Sequence, residues 1–189
     1  MEHAVTWDVR IQPHILSGSA RADKYWSWAL LRSVFPIAQY AKQRRRCIAL
    51  TTLIRNQSGQ AVPAAMSLFI ERYPHLPVNG QEAVFVWFIS SAPRTALAKL
   101  GVQMAPSLGR ILIDTALVAS MNMGLEGRIG LHCARAGGDR LQDFYLNHCK
   151  LNHLRKGTTM SVGRASDGRF FYTDESLADL LVQELNPYR

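Results

Sequence analysis

The stretch "EAVFVWFIS", residues 82–90, constrains the fold more than any other in this 189-residue chain. Both of its alternating faces are apolar, so as a strand it belongs in the middle of a sheet with a covering layer on each side. Before it, "CIALTTLIRNQSGQAVPAAMSLFIERY" reads as two strand-like runs around "NQSG", whose polar and glycine content predicts a hairpin loop. Helical spacing supplies the covering layers. From Ala22 to Ala41, Tyr25, Trp26, Ala29, Leu30, Val34, Ile37 and Ala38 recur at three and four, and Pro36 is expected to kink or split that helix. "QMAPSLGRILIDTALVAS", residues 103–120, predicts a second helix with Ile111, Leu112, Thr115, Ala116 and Ala119 on one stripe and Gly124 as its stop.

The remaining elements are shorter. "AVTWDVRIQ" alternates Val5, Trp7, Val9 and Ile11, the period of a half-buried strand. "RIGLHCA" alternates Ile129, Leu131 and Cys133 with Arg128, Gly130 and His132 as another strand, and "GGDRLQDFYLNHC" predicts a short helix begun near Asp139, a good N-cap type. Strands "TTMSV" and "RFFYT" flank the turn "ASDG", and a final helix carries Leu177, Leu180, Leu181 and Leu185. The predicted order is β-α-β-β-β-α-β-α-β-β and a terminal helix. It implies an α/β (α+β mixed) chain, with residues 1–189 as one domain around a mixed sheet flanked by helices.

Composition excludes several classes. With 48% hydrophobic and 19% charged residues the chain is not mostly disordered, and Glu82 and Asp114 interrupt the two longest apolar runs before either reaches a membrane span. "MEHAVTWDVR" lacks the basic-then-apolar order of a signal peptide, so a cytoplasmic protein is expected. Cys47, Cys133 and Cys149, odd in number and unrelated in spacing, argue against a disulfide framework. The formal charge of +8 attracts anionic partners at low salt, among them coenzyme A, nucleic acid and acidic protein surfaces. Arg44-Arg45-Arg46 reads as a solvated connection rather than a patch of its own.

The start of the 103–120 helix follows the central strand, a favoured ligand position in open sheets. A helix N-terminus leaves backbone N–H groups without partners and carries the positive end of the dipole, which suits a phosphate. "SLGRILID", Ser107 to Asp114, resembles the pyrophosphate-binding turn of the GNAT superfamily of N-acetyltransferases, usually Gly-x-Gly-[Lys/Arg]-x-Leu-[Leu/Ile]. "GRIGLHCA", Gly127 to Ala134, resembles the strand that follows it in many members, and "LQDFYLNHCKL", Leu141 to Leu151, resembles the "FYxxxGF" segment whose tyrosine often acts as general acid. The similarity covers roughly residues 80–155. Ser107 stands in place of the first glycine, Pro106 lacks an N–H, "SAPRTALAKLGVQMAP" lengthens the approach to the turn, and Cys149 or Lys150 occupies the place of the glycine after the tyrosine. The asparagine often found after the fifth strand is missing from "CARAGG".

The resemblance implies a central mixed, mostly antiparallel sheet flanked by helices, with an extra C-terminal helix. It also implies an acetyl-CoA-dependent acyltransferase in which a substrate amine attacks the thioester directly. Acetyl-CoA (coenzyme A) would be held by the backbone around Ile89 and by Ser107, Leu108, Gly109, Arg110 and Ile111, and Tyr145 would protonate the leaving thiolate. Glu71, Glu82, Asp143 or a water relay would serve as general base. The acceptor amine stays open between a small molecule, a protein and an aminoacyl-tRNA, and a homodimer is compatible with the reading. The alternative is a catalytically inactive module of the same fold, using a basic face for nucleic acid or a protein partner. A plain helix tyrosine at 145 would only pack its ring.

Other residues read as structural. His132 and Cys133 are adjacent on a strand and point to opposite faces, and His148-Cys149 with His153 lacks any paired CxxC, so neither a metal site nor a thiol nucleophile is expected. Trp26, Trp28 and Trp87 lie in apolar periodic runs and are expected in the core rather than stacked on a nucleobase.

Overall fold

Residues Glu2–Arg10 form a helix, α1, where the alternation of Val5, Trp7, Val9 and Ile11 predicts a strand. The chain is described here by a computed structural model covering residues 1–17, 21–103, 107–161 and 164–186. Trp7 and Ile11 satisfy both a period of two and a helical period, and the burial of Ala4 and of Ile15, together with the exposure of Val5 and Val9, decides between them. Ala4, Trp7, Ile11 and Ile15 are all fully buried, whereas Val5 is 47% and Val9 68% exposed. Spacings of three, four and four make one helical stripe. The stripe continues into α2 (Gln12–Leu16), which Pro13 opens in its first turn, where a missing N–H costs nothing.

The next helix, α3, runs Trp28–Gln43, so the predicted helical start at Ala22 is six residues early. Its true start is set by capping: Asp8 of α1 accepts the backbone N–H groups of Trp28 (2.8 Å) and Ala29 (3.0 Å), and Ser27 accepts that of Leu30 (3.3 Å). Pro36 lies inside α3, which is not split and continues to Gln43.

The hairpin is as the sequence predicts: β1 (Cys47–Arg55) and β2 (Ala61–Pro74) flank a turn closed by Asn56, whose side-chain oxygen accepts the N–H groups of Ser58 and Gln60. Then come β3 (Glu82–Ser91), α4 (Arg94–Lys99), α5 (Leu108–Asn122) and β4 (Ile129–His132). Helix α6 (Gly138–Asp143) has Gly137 rather than Asp139 at its N-cap and passes into a single wide π-turn, Phe144–His148. The chain ends with β5 (Asn152–His153), β6 (Thr159–Ser161), β7 (Arg164–Ala165), β8 (Phe170–Tyr172) and α7 (Glu175–Leu185). The two-residue strand β5 has no counterpart in the sequence reading. Val162 of the predicted strand "TTMSV" and Pro106 lie outside the described residues.

Six strands form one mixed, mostly antiparallel sheet in the order β1-β2-β3-β4-β8-β5, and β6 with β7 forms a separate ribbon. β3 is central, as its two apolar faces require. It pairs in parallel with β4, because α4 and α5 carry the chain back before β4 begins. β8 then pairs antiparallel with both β4 and β5.

The chain forms two compact units, one made of Met1–Leu68 and Phe88–Leu112, the other of Phe69–Trp87 and Ile113 onward. The core of the first gathers Trp7, Ile11, Trp28, Met66, Leu97 and Leu112, with Trp26 packed edge-on against Trp28 (6.1 Å) and Phe88 (4.8 Å). In the second, Val84, Phe85, Ile113, Leu117, Ile129, Leu131, Phe171 and Leu181 are buried. Trp87 departs from expectation: it is 37% exposed against Tyr73 and Phe85. On α5 the buried residues are Leu108, Leu112, Ile113, Asp114, Ala116, Leu117 and Ser120, so Ile111, Thr115 and Ala119 sit at the edge of the stripe. On α7, Ala178, Leu181 and Leu185 face inward and Leu180 faces water. Gly127 is required at its place, since a Cβ there would run into Ala178 and its φ is +71°.

The two periods at the N-terminus make opposite predictions. Ile11→Ala should destabilise by about 2–5 kcal/mol, while Val9→Ala should stay within about 0.5 kcal/mol of wild type or gain slightly from helix propensity. Urea unfolding of the two variants measures this, and a similar large loss for both would restore the strand.

Candidate functional site

The residues expected to hold a cofactor fall in the first unit, at the end of β3 and the start of α5. The β3–β4 register runs from Val84↔Ile129 to Val86↔Leu131, and β4 closes one residue later at His132 while β3 continues to Ser91. Val84 donates its N–H to Arg128, on the β4 side, yet Ala92 donates its own to Ala64, on the β2 side. Even-numbered residues of a regular strand all face one way, so the alternation is broken once between them, as in a β-bulge. Ile89 lies within that stretch, half-buried against the first-unit core.

Along α5, Ser107 is exposed just before the helix, Leu108 is buried, and Gly109, Arg110 and Ile111 are half-buried in its first turn. In that first turn Ile111 donates its N–H to Ser107 O at 3.1 Å. Leu108, Ile111 and Ile89 contribute to the same apolar cluster, which brings the two predicted segments together.

A polar network fixes the β3 end. Arg21 is bidentate to Asp23 (Nε 2.8 Å, Nη2 2.6 Å) and also donates to the carbonyl of Ser91 (2.8 Å), while Ser90 Oγ donates to the same Asp23 carboxylate. Gln12 donates to the carbonyls of Asp23 and Lys24, and Trp7 Nε1 donates to Gln12. Sequence reasoning missed this network; its one local trace is the Arg-x-Asp spacing of Arg21 and Asp23.

Tyr145 lies in the second unit, on the π-turn. Its ring is 5% exposed and packs against Phe144 and Phe171, each 5.5 Å away by ring centre. Cys149 donates to the carbonyl of Phe144, five residues back, and Leu151 to that of Tyr145. Turns of this width are frequent at functional sites. Lys150 follows at φ +55°, the left-handed conformation that a glycine adopts without strain. Of the candidate bases, Glu82 pairs with Arg72 (3.0 Å), Asp143 accepts from Asn147 (2.6 Å), and Glu71 is half-buried near the end of β2.

His132 and Cys133 do point apart. His132 meets the Asp167 carboxylate at 3.2 Å with Arg135 on its other side at 3.6 Å, while the buried Cys133 thiol contacts Arg169 at 3.5 Å. Burial pushes Asp167 up, but the His132 hydrogen bond and charge, the Arg169 N–H and Arg135 outweigh it and hold the carboxyl below its usual range. Burial raises the Cys133 thiol, with the charge and hydrogen bond of Arg169 pulling back. A thiol so raised is a poor nucleophile. His153 meets the carbonyl of Gly168 (2.7 Å), and His148 lies 3.8 Å from Asp143. Among the described residues no three His, Cys, Asp or Glu side chains are gathered as a metal would require. No helix among them is long and apolar enough to cross a membrane.

The chain is similar to acetyltransferases of known structure. A GNAT-family acetyltransferase from Staphylococcus aureus Mu50 aligns over 92% of this chain and 89% of its own at 14% identity and a TM-score of 0.47. Spermidine N-acetyltransferase from Vibrio cholerae, in complex with CoA and spermine, aligns over 94% and 92% at 17% identity and a TM-score of 0.45. The toxin AtaT, bound to the C-terminus of the antitoxin AtaR and acetyl-CoA, aligns over 82% of both chains at 11% identity and a TM-score of 0.44. No protein-family model matches the chain. No curated protein matches it.

His75, between β2 and β3, has a strongly shifted pKa. Its ring is buried edge-on against Tyr172 at 5.9 Å, and its Nδ1 has no hydrogen-bond partner among the described residues. Burial first, then the charge of Arg128, lower its pKa from 6.5 to about 4, against a smaller upward pull from Asp174. The folded state therefore keeps His75 neutral while the unfolded chain takes up a proton near 6.5. Stability is whole above that pH and is lost as pH falls towards about 4, by up to about 3 kcal/mol. His75→Phe should remove this component: its stability difference from wild type should shift in its favour between about pH 7 and about pH 4. Urea titrations at both pH values check it, and a difference constant with pH would reject it.

Proposed function

We propose that the chain is an acetyl-CoA-dependent N-acetyltransferase of the GNAT type. The observation that supports it is a central strand that outlasts its parallel neighbour and is followed, in the same compact unit, by the start of a helix at the residues resembling the pyrophosphate turn. β3 continues to Ser91 past the end of β4, and an amide-bearing ligand that extended the ladder on that side would lie beside Ile89. Gly109 in the first turn of α5 has no side chain to obstruct a phosphate, and Arg110 adds positive charge beside the helix dipole.

Bound acetyl-CoA would supply an activated acetyl thioester. In the proposed reaction the acceptor amine, freed of its proton by a base or a water relay, attacks the thioester carbonyl. The C–S bond then breaks, the acetyl group stays on nitrogen, and the departing thiolate takes a proton from the Tyr145 hydroxyl. Small-molecule, protein and aminoacyl-tRNA amines all fit this chemistry. A non-catalytic module with a basic binding face is the second reading, favoured by the concentration of positive charge in the first unit.

Two experiments test the enzyme. Acetyl-CoA should raise the melting temperature of the wild type, and Gly109→Val should weaken its binding by at least about tenfold, near 1.4 kcal/mol, with the fold intact by circular dichroism. Equal affinities in calorimetric titration would place the site elsewhere. Tyr145→Phe keeps the ring and loses only the hydroxyl, so kcat should fall by about 10²- to 10⁴-fold with cofactor affinity near wild type. An unchanged kcat on an amine that the wild type acetylates, with chemistry rate-limiting, would leave Tyr145 a packing residue.

A further inference from the structure

The outer face of α3 is apolar where a surface helix is normally polar. Leu30 (61%), Val34 (53%) and Ile37 (71%) are exposed at spacings of four and three, and between Leu30 and Ala41 the exposed residues of the helix carry no charge. The inner face is apolar as well, since Ala29, Leu31 and Phe35 pack on the first-unit core. A helix apolar on both sides ordinarily has a covering layer on both. Polar groups are instead spent inward: Arg32 donates to Thr51 (3.2 Å), and Gln39 is buried with its Oε1 lacking a donor among the described residues.

The patch extends onto α1. Met1 contacts Ser33 and Asp8 caps the start of α3, so the two helices run antiparallel, with exposed Val5 and Leu30 each lying between those contacts. The unit that carries it is charged one way. The first unit holds twelve of the 22 basic residues but only three of the 14 acids, a formal +9, whereas the second unit carries −1. Of the three acids, Asp23 is buried beneath Arg21 and Asp8 caps α3, which leaves Glu2 as the fully exposed one.

We propose that the Leu30–Val34–Ile37 ridge of α3 is a docking surface for an acidic amphipathic helix. A single line of aliphatic side chains at helical spacing is a ridge that fits the groove of another helix, and the net positive charge of the unit that carries it selects acidic flanks. A second copy of this chain would bring like charge against like. Nucleic acid would match the charge but leave three branched aliphatic side chains uncovered, because bases stack on aromatic rings and phosphates pair with cations.

The probe is a fluorescein-labelled peptide of about twenty residues with leucines at i, i+3, i+4 and i+7 and glutamates elsewhere, titrated with the full chain at about 0.05 M salt. Binding should be saturable, should weaken at about 0.5 M salt, should be absent for the same peptide with lysine in place of glutamate, and should protect residues 30–41 in hydrogen exchange. Val34→Glu and Ile37→Glu, and the milder Ile37→Ser with circular dichroism unchanged, should each reduce affinity by about tenfold or more. Equal affinity in these variants would reduce the effect to bulk charge and overturn the proposal. So would absence of binding, tighter ridge-dependent binding of a single-stranded RNA or of phosphatidylserine vesicles, or a wild-type dimer that Ile37→Glu dissociates.

Discussion

A buried carboxylate organises the first unit. Asp23, 4% exposed, accepts from Arg21 and from Ser90, and Arg21 reaches on to the carbonyl of Ser91. The arrangement joins a loop before α3 to the last residues of the central strand. Loss of the carboxylate would leave a partly buried guanidinium without its counter-charge, a change of the kind that costs about 3–5 kcal/mol. The backbone of the same loop is held from the other side, by Gln12 and through it by Trp7. The position of the β3 end therefore follows from α1 and α2, elements far from it in sequence.

This dependence explains which parts of the fold the sequence reveals. β3 is legible because an apolar strand of ten residues with two covered faces has one place in a sheet, and the β1–β2 turn because Asn56 and Gly59 carry specific turn chemistry. α5 and β4 are legible from local period alone. The N-terminus is not, because Trp7 and Ile11 fit two periods and Ile15, which extends the helical stripe from Ala4, lies past the alternating stretch. The start of α3 depends on Asp8, twenty residues earlier, and the β3 anchor depends on Asp23 and Ser90, 67 apart. No window-based reading contains those pairs. The candidate site was legible as two segments, Ile89 and Ser107–Ile111, but not as the network that holds them.

Backbone irregularity occurs at the β3 end and around Tyr145. β3 changes its facing between Val84 and Ala92, the segment around Tyr145 widens to a π-turn, and Lys150 takes the left-handed conformation. The last bears on a departure from the family pattern. Lys150, which with Cys149 stands where the resemblance expects a glycine, takes the conformation that favours glycine, at a cost of about 1–2 kcal/mol for a residue with a side chain. Lys150 also pairs with Glu184 at 2.8 Å, but both groups are well exposed and such a pair contributes little. The left-handed backbone at Lys150 thus forms without the residue that would make it easiest.

The division of charge separates two effects that a net value of +8 merges. The second unit is nearly neutral, so the field that reaches into solvent arises from the first, which also contains Ile89 and the start of α5. A helix dipole acts within its first turn, and one arginine beside it adds a single charge, whereas an excess of nine spread over a unit extends to about a Debye length, near 8–10 Å at physiological salt. Long-range attraction and local recognition therefore have different sources here. The field gathers anions of any kind, and it does not distinguish a polyphosphate from an acidic helix. That distinction is left to short-range features: a glycine in the first turn of α5, Gly109, for one, and a ridge of Leu30, Val34 and Ile37 for the other. One basic unit thus serves two chemically distinct anionic ligands through separate surfaces, in the proposed functions, because charge brings both near and shape sorts them.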